Sequence, residues 1–163
     1  MLITCLPAGL HAQLLAGDSR FPILNEIRWD MMAGQIKNLC ESRGALLQIT
    51  DSTLVFRARF FGTPIRAKVQ LDRTSQLPRV VDVAFEEATA AIRDTLVSHF
   101  TRKTGKPPLV TIKEKSAIIF TIKLELASWR DGNEMISAMT MMRGSEILGV
   151  TLLVSRAIAA PKT

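Results

Sequence analysis

The stretch "TLVFRARFFGTPIRAKVQL", residues 53 to 71, constrains this chain most. Polar and apolar residues alternate on both sides of a Gly–Thr–Pro break. That is the period of a β-strand and not of a helix. Glycine adopts the positive φ that a two-residue turn requires, so Gly62–Thr63 is the expected turn of an antiparallel hairpin. This register sets Phe61 against Pro64, Phe60 against Ile65, Arg59 against Arg66 and Arg57 against Lys68. Phe56, Ala58, Phe60, Ile65, Ala67 and Val69 then share an apolar face, and the four cations share the other.

An apolar hairpin face needs a layer to cover it. Residues 18 to 44 read as a first helix, with Leu24, Ile27 and Met31 in one stripe and Met32, Ile36, Leu39 and Cys40 continuing it with a shift. "VVDVAFEEATAAIRDTLVSHFTRKTGKPP" holds a second, with the stripe Phe85, Ala88, Ile92, Leu96 and Phe100. Arg102 and Lys103 suit its end, and Gly105 with Pro107–Pro108 stops it. "DGNEMISAMTMMRG" is expected as a short third helix that puts Met135, Met139 and Met142 on one face. Strands are expected at residues 2–6, at "ALLQI", at "LVTI", at "AIIFTIKLEL" and at "EILGVTLLV". The fold expected is α+β: an antiparallel sheet of about five to seven strands with helices packed on one side. It forms a single domain over residues 1–163, with the tail fraying from about 156. A helix, a basic-plus-glycine stop ("ESRG", "RKTG") and a hairpin occur twice, as a decayed duplication or as ordinary α+β order.

The order helix, three antiparallel strands, helix over residues 22–101 resembles the double-stranded RNA-binding domain family. "FRARFFGTPIRAKV" followed by "EEATAAIRDTL" carries the likeness. Two positions depart from it. The family opens its second helix with a lysine cluster, where this chain reads "VDVAFEE". The loop "TDST" is short and lacks the family's histidine. No family residue is therefore carried over, and the resemblance implies shape-based contact with RNA.

Charge bears on what the hairpin is for. The 163 residues hold 21 Lys and Arg against 15 Asp and Glu, a net +6, which favours a polyanionic partner. Like charges directly opposite one another on a hairpin cost up to about 1 kcal/mol per pair. Three accounts fit that cost: a partner supplies negative charge, carboxylates such as Glu86, Glu87 or Glu125 fold over the face, or the face is solvated and blunts a sheet edge.

Catalytic patterns are missing. There is no G-x-S-x-G and no phosphate-binding glycine loop. Glu86 and Glu87 are adjacent and diverge on a helix. His11 and His99 are the only histidines, and His99 reads as a half-buried helix residue. Cys5 and Cys40 lie far apart, as two thiols of a reducing compartment. No apolar run is long enough to span a membrane as a helix.

The reading is thus a non-enzymatic basic protein, without cofactor or metal, that contacts nucleic acid backbone and possesses a cationic site at Arg57, Arg59, Arg66 and Lys68. Lys113 and Lys115, with Lys123, extend the patch. The alternative is a viral or secretion-system assembly protein that meets a protein partner or a second copy of itself through Met135, Met139 and Met142. A cytoplasmic location or the inside of a viral particle is expected, and not secretion.

Overall fold

The computed structural model describes residues 23–116 and 119–156. The strand expected at 2–6, the start of the first expected helix, His11, Cys5 and the tail after 156 lie outside the described residues. The elements run α1 (Ala33–Ser42), β1 (Leu46–Thr50), β2 (Thr53–Phe60), β3 (Thr63–Leu71), β4 (Pro78–Phe85), α2 (Ala90–Thr104), β5 (Leu109–Ser116), β6 (Thr121–Asp131), β7 (Glu134–Arg143) and β8 (Glu146–Arg156). The α+β expectation is corrected: the described residues are mostly β, with one sheet of 8 strands in the order β1-β2-β3-β4-β8-β7-β6-β5. Every pairing is antiparallel.

Two segments expected as helix are strands. "PRVVDVAF" forms β4, where β-branched Val81 and Val83 point into the core with Phe85. Helix α2 starts only at Ala90, after the Thr89 side chain accepts the Ile92 N–H at 3.3 Å. "EMISAMTMMR" forms β7, wedged between β6 and β8. Its neighbours use its backbone donors and acceptors on both sides, and that decides against a local helix. Positive-φ glycines, Gly132 and Gly144, turn the chain into and out of it. The first helix is also shorter than expected, since residues 23–26 form a turn and Leu24, Ile27 and Trp29 enter the core from an irregular segment.

The strand order divides the chain into two units of one helix followed by a four-stranded meander. The fourth strands, β4 and β8, join them antiparallel at the centre. This arrangement has pseudo-two-fold symmetry about an axis normal to the sheet. Gly44 (φ 62) and Gly105 (φ 67) end the two helices in left-handed conformation. Gly144, at the end of the expected third helix, is instead in the hairpin turn between β7 and β8.

Both helices lie on one face. Ile36 and Cys40 of α1 and Leu96 and Phe100 of α2 share a single core with Phe56, Ala67, Val83, Leu152, Ile136 and Trp129. Alternation then sends Arg57, Arg66, Asp82, Leu153, Met139 and Leu126 to the opposite face, which no described helix covers.

Candidate functional site

The hairpin between β2 and β3 turns one residue earlier than its sequence suggests. The turn residues are Phe61 (φ 50) and Gly62 (φ 78), and Phe60 pairs with Thr63. Two positive φ values give the turn whose twist matches that of the flanking strands. A bulky residue at positive φ costs on the order of 1–2 kcal/mol, and packing offsets this. The Phe61 ring meets Phe60 edge-on at 5.1 Å and His99 of α2 at 5.3 Å. His99 in turn packs on Phe100 at 4.9 Å. The hairpin tip is thereby tied to the helix layer.

The register changes with the turn. Arg57 stands opposite Arg66, Arg59 opposite Pro64, and Lys68 opposite Val55. The two expected like-charge pairs, Arg59–Arg66 and Arg57–Lys68, are corrected to the single pair Arg57–Arg66. Parity survives the shift, so all four cations still share one face.

All four are exposed. Arg59 donates to the Gly62 carbonyl at 2.9 Å. Among the described residues none of the four makes an ion pair. The carboxylates that could have covered them are elsewhere. Glu125 lies on the helix-side face, in a concavity of about 630 Å³ with Arg93 and Arg102. Glu86 and Glu87 are exposed in the turn after β4.

One carboxylate does reach this face. Asp82 of β4 pairs in register with Lys68. Burial pushes its carboxyl above the usual range, and Lys68 pulls it partly back. Sequence reasoning missed Asp82 because it placed "VVDVAF" at a helix. The signal was a single carboxylate at an alternating position in a β-branched run. Arg79 was missed as well. It lines a concavity of about 380 Å³ with Ser52, Thr53, Lys68, Gln70 and Asp72. Hydrogen bonds from the Ser75 and Thr74 N–H groups hold the Asp72 carboxyl below its usual range. Arg79 stands 3.9 Å from that carboxylate.

The remaining expected site residues divide. Lys113 and Lys115 share the open face but sit on the far edge strand, five strand steps from β3. At about 4.8 Å per step that is roughly 24 Å, so they do not extend the hairpin patch. Lys123 pairs with Met142 and lies on the helix side. Met135 and Met139 are exposed on the open face at 42% and 40%. Met142 faces the core and is 8% exposed, so the shared methionine face is corrected: strand parity separates what helical spacing grouped. Across the sheet, one row of the open face runs Arg57, Arg66, Ala84, Thr151, Met139, Leu126, Thr111. It is cationic at Arg57 and Arg66 in the first unit and uncharged in the second.

No family model matches this chain, nor does any curated protein or solved structure. No group of three or more His, Cys, Asp or Glu among the described residues is placed to hold a metal ion. Burial pushes the Cys40 thiol up to about 12, which leaves it un-ionised and unreactive near neutral pH. Among the described residues no helix is long and apolar enough to cross a membrane.

Proposed function

We propose that this protein is a non-enzymatic binding protein that holds a nucleic acid backbone against the open face of β2 and β3. The observation that supports it is the Arg57–Arg66 pair: two guanidinium groups directly opposite, exposed and, among the described residues, without a carboxylate. A pair of this kind destabilises the free protein, and phosphates would relieve the repulsion. Arg59 and Lys68 lie diagonally on either side, so the four cations form a compact cluster for phosphate oxygens. Asp82 beside Lys68 marks its inner border, towards β4.

Contact of this kind is electrostatic and indifferent to base sequence. Binding of short RNA and DNA duplexes, followed by fluorescence polarisation across a salt series, tests it. Four phosphates engaged predict a log K against log[salt] slope of about −3 to −4. The double variant Arg57→Glu, Arg66→Glu should lose binding while keeping its circular dichroism spectrum. No retention of either duplex at low salt would remove the proposal.

A further inference from the structure

We infer that the β5 edge is a self-association surface, and that two copies of this chain join there into one continuous antiparallel sheet. All eight residues of β5 are exposed. Leu109, Val110 and Ile112 are 73%, 51% and 51% exposed, and they lie on both faces of the strand. Strand β5 ends the strand order, so among the described residues no strand lies beside its outer row of N–H and C=O groups. An edge this long, with no charge from Leu109 to Ile112, is a template for another strand.

Self-complementarity argues for a second copy. A two-fold axis normal to the sheet keeps both helix layers on one side and pairs residues of equal parity. Centring on Lys113 sets Lys113 against itself. Centring on Glu114 sets Glu114 against itself and Lys113 against Lys115. Centring on Thr111 draws Pro108, which has no N–H, into the ladder. Centring on Ile112 avoids both like-charge clashes and brings Pro108 only against Ser116, at the last rung of the strand. Ile112 then meets the second copy's Ile112, Val110 meets Glu114, Thr111 meets Lys113, and Leu109 meets Lys115. The aliphatic stem of Lys115 covers Leu109 while its ammonium stays in water. The chain already contains a joint of this type at its centre, where β4 and β8 unite the two helix-plus-meander units antiparallel.

One strand pair is a modest interface, so a reversible, concentration-dependent dimer is expected. Sedimentation velocity of the full chain over a wide concentration range should show mass rising towards twice that of the monomer. Ile112→Lys places two ammonium groups face to face at the axis and should leave a monomer at all concentrations. Ile112 is exposed in the single chain, so the thermal melt of dilute protein should not change. Register is read separately, in a Cys5→Ser background where the buried Cys40 is the remaining native thiol. There Ile112→Cys should cross-link to its own copy on oxidation, and Glu114→Cys should not. A monomer throughout, a dimer indifferent to Ile112→Lys, or equal cross-linking at both positions would each overturn the inference.

Discussion

Arg57 stands directly opposite Arg66 across β2 and β3, and neither reaches a carboxylate among the described residues. The pair weakens the free fold, and under the proposed function it would supply paired donors to phosphate oxygens. Stability and binding therefore pull in opposite directions at this position. Arg57→Glu should raise stability by about 0.2–1 kcal/mol, because it turns a like-charge pair into an opposite one. The same variant should weaken duplex binding. Urea denaturation together with the polarisation assay checks both signs, and a variant that is less stable would contradict the reading.

The turn that sets this register depends on Gly62, whose φ is +78. A Cβ there would meet open space, with nothing within 4 Å. The cost of Gly62→Ala is therefore conformational, about 1–2 kcal/mol. The midpoint of chemical denaturation should fall accordingly with the m-value unchanged.

Strand parity in β7 gives a sharp contrast between two methionines. Met139→Glu adds a charge at an exposed position and should change stability by less than about 0.5 kcal/mol. Met142→Glu puts a carboxyl into the helix-side core and should cost several kcal/mol, on the order of 3 or more. Equal effects would restore the helix that the sequence suggested. Thermal melts of the two variants decide it.

Glu134 is 6% exposed, and its Oε1 accepts the Trp29 Nε1–H at 2.6 Å. Burial pushes its carboxyl up, and the Trp29 hydrogen bond and the Lys103 charge offset this in part. An acid whose folded pKa is raised holds its proton more tightly in the native state. Its stabilising contribution is present below the unfolded pKa, about 4.5, and is lost as pH rises through the folded value. Glu134→Gln keeps an acceptor for Trp29 and cannot ionise. That variant should flatten the fall in stability over this window, measured as urea midpoints at successive pH values.

Much of the candidate site was legible because it depends on local alternation. Arg57, Arg59, Arg66 and Lys68 share a face in any register that joins odd positions of β2 to even positions of β3. A one-residue error in the turn therefore changed which cations are opposite, and left the face intact. Phe61 was not legible as a turn residue. Its positive φ is tolerable only because His99, distant in sequence, offers its ring a contact.

Segments β4 and β7 show the same limit from the other side. "VVDVAF" borders a strong helical stripe, and Met135, Met139 and Met142 are spaced as successive turns of a helix are. Local patterns there fit two structures, and pairing with β8 on one side and β3 or β6 on the other chose between them.

By itself, then, the sequence determined the period of the β2–β3 hairpin, the sign of its polar face, the glycine stops at Gly44 and Gly105 and most of the apolar positions. Each follows from residues a few positions apart. Only the tertiary structure decided the eight-strand order, the β4–β8 joint, the Arg57–Arg66 pair, the placing of Asp82 beside Lys68, and the separation of Lys113 and Lys115 from the patch. Those depend on backbone hydrogen bonds between strands remote in sequence. No local period encodes which strand will lie beside which.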